Sequence, residues 1–418
     1  KPAPPKPAPI AMDDDRDRLQ ADVRRILVIE DDPPFAEILR NLAREYGFQC
    51  IVAHTAADGL AAAFAYAPNA VLLDLNLPDH SGLGVLDQLK RDPRTRHVPV
   101  HIASVADYAH EALELGAVGY ALKPVNREEL ETAFRRLEQK ITQGMRRVLV
   151  VEDDERQRDS IRELLGSDEV EIVGASSAGE ALDRLKATTF DCIVMDLNLP
   201  DLSGYELLEK MAAENDVAFP PVIVYTGRAL TRDEEMRLRR YSRSIIVKDA
   251  RSPERLLDEV TLFLHQVESS LPADRQRMLK AARSREASLE GRTVLVVEDD
   301  VRNIFALSSI LEPKGARVEL ARNGREAIEA LERGGVRMTG GTIDLVLMDI
   351  MMPEMDGFTA MREIRMRPEW KRLPIIALTA KAMKDDQEKC LAAGANDYIA
   401  KPLDVERLLS LVRVWMPK

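Results

Sequence analysis

The chain is 418 residues long, 45% hydrophobic and 31% charged, with a formal net charge of −12. That length calls for two to four domains at about 100–200 residues each. The acidic balance excludes nucleic acid and an anionic membrane surface as main partners, no apolar run approaches the ~20 residues that cross a bilayer, and no signal peptide opens the sequence.

Residues 1–22 form a Pro- and Ala-rich tract beginning KPAPPKPAP, a composition that favours an extended linker. With Lys1 rather than Met in first place, the chain reads as a fragment with more sequence upstream. Cys50, Cys192 and Cys390 are too few for a disulfide framework at this length and read as small buried hydrophobes, which points to a reducing, cytoplasmic compartment.

From residue 23 onward one pattern occurs three times. Each copy opens on a short β-branched run that ends in acids: RILVIEDD (25–32), RVLVVEDD (147–154) and TVLVVEDD (293–300). Such runs suit buried parallel strands. An amphipathic helix is predicted after the acids, with Phe35, Ile38, Leu39 and Leu42 on one face in the first copy and Ile304, Leu307 and Leu311 in the third. Asp32 before Pro33 suits an N-cap followed by proline at the first helical position.

A second run ends in a lone aspartate: AVLLD (70–74), CIVMD (192–196) and LVLMD (345–349). A Pro and then a Gly follow each time, predicting a turn into a helix. A third run ends in a hydroxyl, at Ser104, Thr226 and Thr379, and a fourth in lysine, at Lys123, Lys248 and Lys401. The step from lone aspartate to hydroxyl is 30 residues in all three copies. The step from the acidic strand end to the lone aspartate is 43, 43 and 50, and the extra seven residues of the third copy fall in a Gly-rich surface loop between Glu332 and Thr342.

Strands alternating with helical patterns predict an α/β fold of βαβ units on parallel sheets. The units are expected at 23–143, 146–265 and 292–418, with 266–291 a helical linker, broken at Pro272, that acts as a spacer. His101 is expected to pack inside a strand and His265 to lie on a helix surface.

In open α/β sheets ligands bind at the carboxyl ends of strands. Each copy would gather there an acidic pair, a lone Asp, a hydroxyl and a Lys. Several carboxylates in one crevice repel each other, and a hard divalent cation that takes oxygen ligands, such as Mg²⁺, relieves this. An aspartate beside such a cation is suited to attack phosphorus, with the metal, the lysine and the hydroxyl countering the transferred group's charge.

This constellation resembles the receiver domain of two-component response regulators, over nearly the whole chain. The resemblance implies three flavodoxin-like (βα)5 domains, each a doubly wound parallel five-stranded sheet of order 2-1-3-4-5, a topology for which a receiver is a standard example. It implies transfer of a phosphoryl group from a kinase phosphohistidine to Asp74, Asp196 and Asp349. It also implies Mg²⁺, with Mn²⁺ or Ca²⁺ as substitutes, held by Glu30, Asp31, Asp74 and Asn76, by Glu152, Asp153, Asp196 and Asn198, and by Glu298, Asp299, Asp349 and Met351. Asn76, Asn198 and Met351 would each contribute a backbone carbonyl. Ser104, Thr226, Thr379, Lys123, Lys248 and Lys401 would steady the phosphoryl group, and Tyr120 and Tyr398 stand at the family's aromatic switch position.

The second copy departs from the family in having Ile245 at that switch position and Asp249, not Pro, after its lysine. The residues two past the acceptor and two past the hydroxyl, which partly set aspartyl-phosphate lifetime, are Asn76 with Ala106, Asn198 with Arg228 and Met351 with Lys381. The wording RNIFAL (302–307) resembles the terminal receiver of hybrid sensor histidine kinases. No phosphoacceptor helix, ATP-binding box or DNA-binding module is legible, so a kinase core upstream in cis and a histidine phosphotransfer protein are the expected partners. The alternative is a regulatory or scaffolding array that docks partners. A haloacid-dehalogenase-type phosphatase is rejected, because it needs an Asp where Asn76, Asn198 and Met351 stand.

Overall fold

Short runs of Val, Ile and Leu, apolar on both faces, become fully buried parallel strands wherever helices cover the two sides of a sheet. A computed structural model of the chain describes residues 13–105, 107–213, 219–228, 230–248, 252–286, 289–337, 341–380 and 384–416. Most of the N-terminal tract, and Ala106, Asp249 and Lys381, lie outside these residues.

The first unit runs β1 (Arg25–Ile29), α1 (Pro33–Glu45), β2 (Gln49–Ala53), α2 (Ala56–Tyr66), β3 (Ala70–Leu73), α3 (Gly82–Arg91), β4 (Val100–Ser104), α4 (Ala109–Glu114), β5 (Gly119–Leu122) and α5 (Arg127–Thr142). The second repeats it as β6 (Arg146–Val151), α6 (Glu155–Leu165), β7 (Val170–Ala175), α7 (Ala178–Ala187), β8 (Cys192–Met195), α8 (Gly204–Ala213), β9 (Val222–Thr226), α9 (Arg232–Leu238), β10 (Ser244–Val247) and α10 (Ser252–Phe263). After the linker helix α11 (Ala273–Glu286) the third has β11 (Thr293–Val297), α12 (Val301–Leu311), β12 (Arg317–Ala321), α13 (Gly324–Gly334), β13 (Leu345–Asp349), α14 (Gly357–Met366), β14 (Ile375–Thr379), α15 (Lys384–Ala393), β15 (Asp397–Ala400) and α16 (Val405–Trp415).

Each unit is a five-stranded, all-parallel sheet, ordered β2-β1-β3-β4-β5, β7-β6-β8-β9-β10 and β12-β11-β13-β14-β15. The expected topology therefore holds in all three. The register places the last residues of the first and third strands of each unit side by side, Ile29 opposite Leu73 and Val151 opposite Met195. The acids that follow both strands thus share one edge. Helix α1 starts at Pro33 as expected, and Asp32 is its N-cap, though without a side-chain cap bond. Ile38, assigned to the buried face, is 53% exposed; Ala36, Leu39 and Ala43 carry the packing instead.

The linker does more than space the units. Leu279 and Ala282 of α11 are buried, and Arg283 reaches Glu268 and the carbonyl of Arg91 in the first unit. His265 is not on the surface: it lies buried just past α10 with φ at +51°, its Nδ1 3.5 Å from Lys90 of the first unit. Nor is the contact between the first and third units only polar, since Val85, Leu86 and Leu89 share one apolar cluster with Leu408, Leu411 and Trp415. The three cysteines are buried and free, and His101 packs inside β4. Among the described residues no helix is long and apolar enough to cross a membrane.

Candidate functional site: an acidic pocket with one lysine

In each unit the first strand delivers a buried glutamate, the third a buried aspartate, the fourth a buried hydroxyl and the fifth a lysine. In the first unit Lys123 Nζ donates to both oxygens of Glu30, at 2.9 and 2.8 Å, and to Asp74 Oδ2 at 2.7 Å. Asp74 Oδ1 accepts from the backbone N–H of Asn76 at 3.0 Å. In the second, Lys248 donates to Glu152 Oε2 at 2.8 Å and Asp196 Oδ2 at 2.7 Å. In the third, Lys401 reaches Glu298 at 2.6 Å and Asp349 at 3.0 Å. Ser104, Thr226 and Thr379 are buried at the ends of their strands.

Burial raises the pKa of Glu30, and the Asp74 charge adds to it, against the opposing pull of Lys123. Burial likewise raises Glu152, and it raises Asp349, where Glu298 adds to the effect. Burial works to lower each lysine, but the facing carboxylates outweigh it and hold Lys123, Lys248 and Lys401 above their ordinary value. One cation facing two buried carboxylates leaves each pocket with surplus negative charge.

The pockets differ in their third acid. Oxygens of Glu30, Asp31 and Asp74, and of Glu298, Asp299 and Asp349, lie within 4.8 Å of one another. Glu152, Asp153 and Asp196 do not gather in this way, and Arg158 donates to the carbonyls of Glu152 and Asp153 at 2.5 and 2.8 Å.

One position was missed from sequence: five residues past each buried glutamate, on the first turn of the following helix, the side chain faces the pocket. In the first unit it is Phe35, with Lys123 Nζ 4.5 Å above its ring. In the second it is Gln157, whose Oε1 accepts from Lys248 at 2.7 Å, and in the third Asn303, which donates to Glu298 at 3.0 Å. The repeat alignment is the signal that finds it.

The tyrosines at the fifth strand lie differently. Tyr120 is half-buried and shares hydrogen bonds with Ser104 and with the N–H of Tyr108. Tyr398 is buried and donates to the Leu77 carbonyl of the first unit. Ile245 holds this place in the second unit. The Lys123–Pro124 and Lys401–Pro402 peptide bonds are cis.

A doubly wound parallel α/β domain, with an acidic pocket and one lysine at the carboxyl edge of its sheet, defines the class of each unit. The chain belongs to the response regulator receiver domain family, which matches it at residues 26–135, 148–261 and 294–413. It is 36% identical over 167 residues to the signal transduction histidine-protein kinase BarA of Escherichia coli K12, covering 40% of this chain and 16% of BarA. It is 40% identical over 123 residues to the hybrid signal transduction histidine kinase M of Dictyostelium discoideum, covering 29% of this chain and 5% of that kinase. The matches thus take in a small part of these relatives' length. Among solved structures, the receiver domain of a Pseudomonas aeruginosa sensor histidine kinase, which has a magnesium ion coordinated in its active site cleft, is 39% identical, covering 30% of this chain and 97% of that one with a TM-score of 0.26. The units are receiver domains of two-component signalling, akin to those of hybrid histidine kinases.

Proposed function

We propose that this chain is a phosphoryl-accepting array, the receiver tail of a hybrid histidine kinase, with receivers at 23–143, 146–265 and 292–418. The kinase core would act in cis from upstream, and a histidine phosphotransfer protein would take the group onward. The observation that carries this reading is the buried aspartate of each unit, held by a lysine beside a buried glutamate.

A carboxylate oxygen of Asp74, Asp196 or Asp349 attacks the phosphorus of a phosphohistidine. The P–N bond breaks, its electron pair stays on the imidazole nitrogen, and an aspartyl phosphate forms. The lysine swings from the carboxylates to the incoming phosphoryl oxygens, and Ser104, Thr226 or Thr379 donates to one of them. Tyr120 and Tyr398 respond as switch residues.

A hard divalent cation fits the first and third pockets, where three carboxylates converge with only oxygen donors in reach. Glu30, Asp31, Asp74 and the carbonyl of Asn76 would hold Mg²⁺ in the first, and Glu298, Asp299, Asp349 and the carbonyl of Met351 in the third. Bound there, the ion supplies charge neutralisation for the transferring group. In the second unit Glu152, Asp153, Asp196 and Asn198 must rearrange to do the same. That unit therefore favours the scaffolding reading for itself.

The test is to incubate the chain with Mg²⁺ and acetyl phosphate or a cognate kinase, counting phosphoryl groups on wild type and on Asp74→Ala, Asp196→Ala and Asp349→Ala singly. Loss of most label in Asp349→Ala alone marks a relay through the third receiver. Label that survives every single change marks independent acceptors. Absence of label, with folded protein and active donor, moves the whole chain to the scaffold reading.

A further inference from the structure

Where the three receivers and the linker meet, the structure forms an open cavity of about 480 Å³ whose lining includes none of the acidic-pocket residues. Its walls come from α3 and α4 of the first unit, α9, β10 and α10 of the second, the linker, and α16 of the third. The lining holds eight arginines and a lysine against five carboxylates, in a chain whose net charge is −12. A basic cavity in an acidic protein is the reverse of what chance placement gives.

Most of those arginines have partners. Arg91 and Arg413 pair with Asp87, Arg239 with Glu235, Arg96 with Asp258, and Arg292 with Asp344 outside the cavity. Arg243 and Arg255 are the exceptions: neither makes an ion pair among the described residues, and Arg243 is the half-buried one of the two. Burial lowers its pKa, and the charge of Glu114 only partly offsets this. Arg96 and Arg413 also line the cavity, but their guanidinium groups are held by Asp258 and Asp87. Unmatched guanidinium in a partly desolvated site is unfavourable until an anion meets it. The guanidinium fork is also the side chain best matched to phosphate oxygens.

The remaining wall is apolar, made by Leu115, Ile245, Leu262, Leu289 and Met416. Ile245 occupies the position where the other two receivers carry a tyrosine, so the residue that departs from the family pattern is a wall of this cavity. A tyrosine there would take up part of its volume. The size lies within the ~300–1,000 Å³ typical of small-molecule pockets.

We propose that this cavity binds a phosphorylated organic anion of nucleotide size. Arg243, with Arg255 also in the lining, meets its phosphate, and Ile245 with its apolar neighbours covers the organic part. Because all three receivers contribute, occupancy fastens their relative placement.

The experiment is isothermal titration of the full chain with ADP, GDP, inorganic pyrophosphate and adenosine, each in EDTA so that metal-assisted binding at the acidic pockets is suppressed. One nucleoside diphosphate per chain is expected, with pyrophosphate weaker and adenosine silent. Arg243→Glu and Ile245→Tyr are each expected to weaken the diphosphate at least tenfold, and Arg243→Lys to weaken it less. Circular dichroism and the thermal midpoint establish that each variant is folded. If Arg243→Glu fails to fold, Ile245→Tyr and Arg243→Lys carry the test. The proposal is overturned if neither diphosphate nor pyrophosphate binds, if adenosine binds as well as ADP, or if binding is indifferent to the folded variants.

Discussion

The phenolic oxygen of Tyr398, on the last strand of the third receiver, donates a 3.0 Å hydrogen bond to the carbonyl of Leu77 in the first. Leu77 lies three residues past Asp74, in the loop whose Asn76 N–H holds the Asp74 carboxylate. A second connection runs the other way. Tyr120 bonds to Ser104 and accepts from the N–H of Tyr108, whose own hydroxyl donates to the carbonyl of Asn396 in the third receiver at 3.2 Å. The tyrosines on the last strands of the first and third receivers are therefore hydrogen-bonded, directly or through one residue, to the other receiver.

Tyr398→Phe removes one end of this connection and leaves a buried carbonyl without its donor. A neutral hydrogen bond of this kind contributes about 1 kcal/mol, which corresponds to about a fivefold change in a rate or equilibrium. With Asp196 and Asp349 both changed to Ala, label reports Asp74 alone. In that background Tyr398→Phe is expected to slow labelling of Asp74 about fivefold, followed by acetyl phosphate time courses. An unchanged rate would show that the third receiver's tyrosine has no hold on the first receiver's pocket.

Asp397, beside Tyr398, sits fully inside this interface, where its Oδ2 accepts from Trp415 Nε1 at 2.9 Å and Ser81 of the first receiver also donates to it. Burial raises its pKa from 3.8 to about 6, against the pull of those donors. Between these values the folded chain keeps a proton that the unfolded chain has lost, so unfolding free energy falls as pH rises through the window and stays lower above it. Asp397→Asn keeps the shape and the acceptor but does not titrate. The difference in stability between variant and wild type should therefore grow in the variant's favour from pH 4 to pH 6 and then level off, as read from denaturant midpoints. A difference that is flat across this range would contradict the assignment.

The sheets were legible because the signal was local and repeated. Runs such as RILVI and AVLLD state their own burial, and constant spacing between lone aspartate and hydroxyl ties strands that meet only in the fold. What escaped was set by contacts between units. His265 follows its helix with the spacing of a surface residue, and residues from outside that helix, Lys90 of another receiver among them, pack against it. The linker likewise shows no apolar face strong enough to announce that Leu279 and Ala282 are buried. Within the pockets, the residue five past the glutamate was hidden because Phe35, Gln157 and Asn303 share a place and no chemistry.

Each pocket sets one lysine against two buried carboxylates, so removal of one negative charge should help folding while abolishing function. Asp74→Asn relieves the repulsion that helps to raise Glu30. A neutral side chain of the same shape is expected to stabilise the metal-free chain by about 1 kcal/mol, the equivalent of roughly one pKa unit of relieved interaction. Thermal unfolding in EDTA should show the gain, and addition of Mg²⁺ should stabilise the variant less than wild type. A loss of stability in EDTA would mean that Lys123 gains more from Asp74 than Glu30 loses.

The second receiver offers the sharpest contrast with its neighbours. Gln157 adds a third acceptor to Lys248, and Asp153 stands apart from Glu152 and Asp196. To assemble a metal site, Asp153 must turn inward beneath the hold of Arg158 on the adjacent carbonyls. The free energy of that rearrangement is subtracted from binding, and about 1.4 kcal/mol of it weakens affinity tenfold. Double variants that leave one acceptor each, Asp74→Ala with Asp349→Ala for the second receiver and the corresponding pairs for the others, make the comparison within the full chain. Half-maximal labelling of Asp196 is expected at a Mg²⁺ concentration about tenfold above that for Asp74 or Asp349, and Arg158→Ala should narrow the gap. Equal Mg²⁺ requirements in all three would show that the separation of Asp153 from Glu152 and Asp196 places no demand on metal binding.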